Sequence, residues 1–295
     1  MTQVARDAGL SRLIKDEITP IAEGFQFTEG PLWLPEGGLL FQDLKASKTF
    51  RWDPSGTVRM VREHTRGANG QTLDPTGRVI FCEQDGRRLS GMQPDGSGVE
   101  TLVERFENKR LNSPNDLIVG SDGKVFFTDP AYGVPTPADK ELPFQGVFQL
   151  DLNTRDLRLL ASDGFEKPNG LALSPDGGTL FVNDTAKYHV RRLRLRRAFD
   201  GDTLIDDTVF ASFDPAEPGG PDGLKLDHEG RLFVAVAEGI WVLDANANLL
   251  GILRMPKRPS NLAWGDHDHS TLYITAIDQV WRVRLATRGV VHCPG

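Results

Sequence analysis

Apolar and polar residues alternate in short bursts along this chain, and the bursts recur. A turn rich in Gly, Pro and Asp is followed by alternating apolar residues at 35–43 (PEGGLLFQD), 74–83 (DPTGRVIFCE), 120–129 (GSDGKVFFTD), 174–184 (SPDGGTLFVND) and 227–237 (DHEGRLFVAVA). A more degenerate copy lies at 265–276 (GDHDHSTLYITA). Each predicts a tight hairpin: a strand, a Gly-bearing turn, then a second strand rich in Val, Phe and Leu. Further strand-like runs stand behind the hairpins, such as TFRWDP with TVRMV, GVFQLDL with LRLLA, and GIWVLD with LLGIL. A unit therefore holds about four strands in roughly 40 to 54 residues, the size of a β-propeller blade.

Six such units account for nearly everything from Asp16 onward. The run ITPIAEGF at 18–25 occupies the place of a blade's last strand, so it is expected to complete the sixth blade and close the ring. The expected fold is all-β: a six-bladed β-propeller with a central metal site, formed as a single domain over 16–295. Residues 1–15 form an extension in which VARDAGLSRLIK has the apolar spacing of a short helix, stable only if docked. A two-sheet sandwich would not need six equal units.

Composition narrows the partners. The 295 residues carry 34 Lys+Arg against 41 Asp+Glu, a net charge of -7, with no dense basic run. That argues against nucleic acid or an anionic membrane as partner, because phosphate contacts need concentrated positive charge. Two cysteines, Cys82 and Cys293, suit neither a thiolate metal cluster nor a disulfide-framed domain. No apolar core of signal-peptide length opens the sequence and no run approaches membrane-span length, so a cytoplasmic protein is expected. With no long exposed apolar stripe, the expected state is a monomer or weak homodimer.

A second regularity carries chemistry. Eight residues before each hairpin turn stands an oxygen-bearing side chain: Glu29, Asn69, Asn115, Asn169, Asp222 and Asn261. The first strand of a blade lines the central channel, so residues in one phase on all six meet at one depth around the axis. Two carboxylates and four carboxamides, without His, Cys, Lys or Arg, suit a hard cation with oxygen ligands. Ca2+ fits best; Mn2+ or Mg2+ fits a near-octahedral arrangement, and Zn2+ would prefer nitrogen or sulfur. The competing account is that these residues make Asx turns into each blade. It is strongest for Asn69 and Asn261, and weaker for Glu29 and for Asn115, Asn169 and Asp222 in their similar settings SPND, KPNG and GPDG.

At these residues the sequence resembles the gluconolactonase, senescence marker protein and luciferin-regenerating enzyme family of six-bladed calcium propellers. The carriers are FTEGPLW at 27–33, GANG at 67–70, SPNDL with FFTDPAYG at 113–133, KPNGLALSPDGGTLFVNDT at 167–185 and GGPDGLKLDHEGRLFVA at 219–235. The resemblance implies that Glu29, Asn169 and Asp222 hold the ion. Asn115 matches a direct ligand of the related diisopropyl fluorophosphatase and paraoxonase propellers, and a residue nearer substrate and water in animal lactonases. Animal lactonases carry a sugar-binding arginine where this chain has Ser113, so the metal site matches while the sugar contacts differ.

The resemblance further implies hydrolysis of a sugar-derived lactone such as gluconolactone. A divalent cation with open positions polarises the carbonyl, and no covalent nucleophile is needed. The family implies Asp222 as the carboxylate that orients and deprotonates water; beside a cation it is a modest base, adequate for an activated ester and poor for an amide. Asn69, Ser113, Asp129 and Asn261 are the candidate substrate contacts. Asp43, Glu83, Asp129 and Asp184 end second strands at the same mouth, as sugar ligands, support for the metal ligands, or ordinary strand ends. Tyr132, Tyr188 and His189 read as rim or exposed loop, and His267-Asp268-His269 as a solvated turn at the opposite end. No G-x-S-x-G elbow, phosphate loop or dinucleotide fingerprint occurs. Two alternatives stay open: a metal-dependent esterase or organophosphate hydrolase, and a non-catalytic propeller scaffold.

Overall fold

The computed structural model describes residues 2–199, 201–214 and 219–293. Among the described residues six antiparallel sheets of four or five strands form, one for each repeat, besides a two-stranded ribbon of Arg105–Phe106 and Lys109–Arg110. The first holds Thr28–Trp33, Leu39–Asp43, Lys48–Trp52 and Val58–Glu63, from the axis outward. The second holds Ala68–Leu73, Val79–Glu83, Arg88–Met92 and Glu100–Val103. Leu117–Val119, Lys124–Asp129, Gly146–Asp151 and Leu157–Ala161 make the third. The fourth comprises Pro168–Leu173, Thr179–Asp184, His189–Arg196 and Thr203–Ser212. Leu224–Leu226, Leu232–Val236, Gly239–Leu243 and Leu249–Arg254 make the fifth, and Asn261–Gly265, Thr271–Ala276 and Gln279–Arg284 belong to the sixth. The first strand of each sheet contacts the first strand or its neighbour in the next, from blade one round to blade six and back to one. The chain is a six-bladed β-propeller.

Thr19–Glu23 pairs antiparallel with Gln279–Arg284 as the outermost strand of the sixth sheet. Val4–Ala5 adds a fifth strand to the fifth blade, beside Leu249–Arg254. Between them lies one 3-10 turn, Leu10–Leu13, in place of the amphipathic helix that the spacing suggests. Gly9, at φ 133, breaks the local helical geometry. Docking comes from Leu10, which is buried against Gly251.

The hydrophobic clusters straddle blade boundaries, because each sheet buries both faces against its neighbours. Leu40, Phe81 and Phe127 join blades one to three in one cluster; Phe233, Trp264 and Ile274 join blades five and six in another. The second strands are consequently buried throughout in five blades, as in Leu39–Asp43 and Thr271–Ala276, and mostly buried in Thr179–Asp184 of the fourth, and read as near-continuous apolar runs. Outer strands alternate or are exposed, as in Val58–Glu63. No helix among the described residues is long and apolar enough to cross a membrane.

Candidate active site

The inner strands approach one another too closely for side chains at one position, which places the polar ring. A Cβ on Gly30 would run into the carbonyl oxygen of Asn69, and one on Gly70 would lie 2.7 Å from the Cα of Asp116. Gly170 stands in the same relation to Gly223, and Gly223 to Asn261. Each of these glycines directly follows a ring residue, in the pairs Glu29-Gly30, Asn69-Gly70, Asn169-Gly170 and Asp222-Gly223. Backbone bonds tie the ring together: Gly70 N–H donates to Asn115 O at 2.9 Å and Gly223 N–H to Ser260 O at 2.7 Å. The third and sixth blades break the pattern, with Asp116 and Leu262 in the glycine's place.

Glu29, Asn69, Asn115, Asn169 and Asn261 are buried, and Asp222 keeps 14% of its side chain exposed. Asn261 Nδ2 donates to Glu29 Oε2 at 3.2 Å and lies 3.4 Å from Asp116 Oδ2. The Asn261 Oδ1 accepts the N–H of Leu262 at 2.8 Å, so this residue makes a local bond as well as a cross-blade one. Asn169 hydrogen-bonds to Asp222 and donates from Nδ2 to Thr185 Oγ1 at 3.1 Å. Asn183 Nδ2 holds the Asp222 backbone carbonyl. Asn115 is fixed by its backbone N–H to Thr128 O at 2.9 Å. The side chains brought into mutual contact are thus Glu29 with Asn261 and Asp116, and Asp222 with Asn169.

Burial is the largest force on the carboxylates here. It pushes Glu29 well above the usual range, with the charges of Asp222 and Asp116 adding to the shift. Asp222 is raised to about 7 by burial and by Asp116, against the Arg258 guanidinium and the Asn169 bond. Arg258 Nη2 lies 3.8 Å from Asp222 Oδ2. The protein's own charges therefore leave Asp222 raised, and the modest base expected beside a cation depends on that cation. No group of three or more His, Cys, Asp or Glu side chains poised for a metal occurs among the described residues. The oxygens gathered here are a mixture of carboxylates and carboxamides.

Two expected substrate contacts have other work. Asp129 is fully buried and its oxygens accept the N–H groups of Asn112 (2.8 Å) and Ser113 (2.7 Å), so it anchors the segment entering the third blade instead of facing the channel. Burial raises it to about 7 despite those bonds. Ser113 is buried too, and its hydroxyl accepts the N–H of Gly133 at 2.8 Å, fixing the 130–145 loop. Asp43 grips the N–H groups of Gln26 and Phe27, and Asp184 those of Glu166 and Lys167. Glu83 pairs with Arg88 at 2.8 Å. Asp43, Asp129 and Asp184 are therefore blade-entry clamps, because a carboxylate across a hairpin faces the unpaired N–H groups of the incoming chain.

Asp116 escaped the eight-residue count, although an acid replacing the recurrent glycine was a legible signal. Tyr132 sits on the mouth: Asn169 Nδ2 is 3.5 Å from its hydroxyl and Lys167 lies over its ring at 5.5 Å. Burial pushes the phenol up to about 12, so it stays a hydrogen-bond donor at neutral pH.

Residues 27–278 match the family described as SMP-30/Gluconolactonase/LRE-like region. The chain belongs to this family. Among its relatives, the gluconolactonase of Zymomonas mobilis subsp. mobilis is 33% identical over 94% of this chain and 84% of its own. The pentonolactonase XacC of Haloferax volcanii is 28% identical over 84% of this chain and 80% of its own. Of solved family structures, a gluconolactonase from Xanthomonas campestris superposes with a TM-score of 0.87 at 31% identity, covering 97% of this chain and 95% of that one. A calcium-binding regucalcin from Agrobacterium tumefaciens, at 18% identity and a TM-score of 0.78 over 92% and 95% of the two chains, shares the fold.

Proposed function

We propose that this chain is a metal-dependent hydrolase that opens a sugar-derived lactone, with Glu29, Asn115, Asn169 and Asp222 around a divalent cation and Asp222 acting on water. It is a lactone-hydrolysing enzyme, a carboxylic-ester hydrolase. The observation that carries the mechanism is the meeting of Glu29, Asp116 and Asp222 in one buried ring, where the charges of Asp222 and Asp116 add to the upward push of burial on Glu29 and that of Asp116 adds to it on Asp222.

The donor set fits such a cation. All its ligating atoms are oxygens, and both of its carboxylates are held away from the ionised state by burial and by neighbouring acid charges, both of which a divalent ion offsets. Ca2+ is the best match for mixed carboxylates and carboxamides, with Mn2+ or Mg2+ next. When bound, the ion supplies Lewis-acid polarisation of the lactone carbonyl.

The chain's own groups do the rest. Asp222, the least buried of the acids, orients a water and takes its proton as the oxygen attacks the carbonyl carbon. The same proton passes to the ring oxygen as the C–O bond breaks, leaving a hydroxy acid. Asn169 fixes the Asp222 carboxylate, and Thr185 fixes Asn169, donating in turn to Pro221 O at 2.8 Å. Tyr132 offers its hydroxyl at the mouth to a substrate oxygen, and Asn69 and Asn261 line the channel for further hydroxyls. Asp222→Asn tests the assignment: turnover of an aldonolactone should fall by about a thousandfold with the cation still bound. Full turnover in that variant would remove Asp222 as the base.

A further inference from the structure

The lower half of the channel, on the side away from the carboxylate ring, holds a cavity of about 330 Å3. Leu32, Trp33, Leu117, Val119 and Trp264 wall it, and Val290 and Val291 close it from below. The segment carrying those valines is pinned across the channel. Val290 N–H donates to Leu226 O at 3.0 Å, Gly289 N–H to His269 O at 2.9 Å, and His292 Nε2 lies 3.0 Å from Leu173 O. Volume and lining match those of small-molecule pockets, which are mostly apolar with a few directed polar groups. His269 belongs to this wall and is half-buried, which corrects the solvated-turn reading of residues 267–269 for that residue; His267 is exposed at the rim.

Two charged side chains line the cavity: Asp266, whose two oxygens are taken by the hydroxyls of Thr271 and Tyr273, and Lys225, which reaches it from above. Lys225 lies between the carboxylate ring and the apolar wall, its Nζ 4.0 Å from Asp116 Oδ2, and 20% of its side chain is exposed. An ammonium has three donors. Among the described residues its one hydrogen bond goes to the adjacent Leu224 O, at 3.0 Å. A cation with donors to spare over an aromatic and aliphatic wall is complementary to an anionic head on an apolar body. A polyhydroxylated sugar would leave the hydroxyls that face the aromatic and aliphatic side chains unpaired.

We propose that this cavity is a second small-molecule site, for a compact monocarboxylic acid with an apolar or aromatic body, its carboxylate on Lys225. The site is separate from the lactone chemistry and stands whether or not that chemistry is confirmed.

Trp33 and Trp264 supply the readout. Full-length protein is titrated with phenylacetate and with phenylacetamide while tryptophan emission is followed. The acid should give a saturable change and the amide should bind at least about tenfold more weakly. Ala263→Phe and Val291→Phe, which fill the cavity from the sixth blade and from the C-terminal segment, should each abolish the change while circular dichroism stays that of the parent. Lys225→Met should bind acid and amide alike. The absence of a saturable change in the parent, or one that persists with unaltered affinity in both filled variants, would overturn the site. Equal binding of acid and amide by the parent would overturn the ligand class.

Discussion

Asn261 and Glu29, 232 residues apart, meet across the seam where the last blade adjoins the first, with Asn261 Nδ2 donating to Glu29 Oε2 at 3.2 Å. The same amide nitrogen approaches Asp116 from the third blade at 3.4 Å. One carboxamide thus joins three blades at the axis and partly offsets two buried acids.

Asn261→Leu should therefore cost about 2 kcal/mol of stability, because Glu29 keeps its burial and loses a donor. Thermal unfolding of chelator-stripped protein measures it. An unchanged melting temperature would mean that the seam is held by packing and backbone bonds alone.

Backbone proximity around the ring gives a sharper expectation. Gly30 combines φ 48 with a position where a Cβ meets the Asn69 carbonyl, so Gly30→Ala should destabilise by about 3 kcal/mol. Gly56 is the control: its φ is 91 but nothing lies within 4 Å of an added Cβ, so Gly56→Ala should show only the smaller conformational cost. Denaturant midpoints of the two variants should separate clearly; equal midpoints would count against close approach as the reason for the glycine.

The raised pKa of Asp222 sets a pH dependence. Its carboxyl ionises near 3.8 when unfolded and near 7 in the fold without added cation. The fold favours the protonated form, so the associated stability is full below pH 3.8 and is lost as pH rises through about 7. Half-buried histidines such as His269 and His292, whose pKa burial lowers, act in the opposite sense below about 6.5, so the useful quantity is a difference between variants. Chelator-stripped Asp222→Asn, which cannot ionise, should gain about 2 kcal/mol over the parent between pH 5 and pH 8. Added Ca2+ should reverse the order at pH 8. A difference independent of pH would show that Asp222 ionises freely in the fold.

Much of this architecture was legible in the chain because a propeller repeats its turns. The Gly-bearing turn at a fixed distance from Glu29, Asn69, Asn115, Asn169, Asp222 and Asn261 located both the inner strands and the polar ring. Periodicity says which face a residue occupies, however, and not which atom it meets. Asp43, Asp129 and Asp184 stand at the mouth as expected, yet their oxygens point back to the N–H groups of the incoming strand. Asp116 and Lys225 were hidden for a related reason. Each lies one or three residues past a ring position, and only the convergence of blades far apart in sequence brings them together. The N-terminal helix failed locally: Gly9 interrupts it, and the apolar spacing instead buries Leu10 against the fifth blade with Val4, Leu13 and Ile14 packed on the same cluster.

The most direct test of the account is hydrolysis of an aldonolactone by chelator-stripped protein, followed with a pH-indicator dye at neutral pH with and without Ca2+. Turnover should be negligible without the ion and restored by it. Turnover that is undiminished after stripping would contradict the cation-dependent mechanism, as would a Ca2+ that binds the ring and leaves the lactone intact.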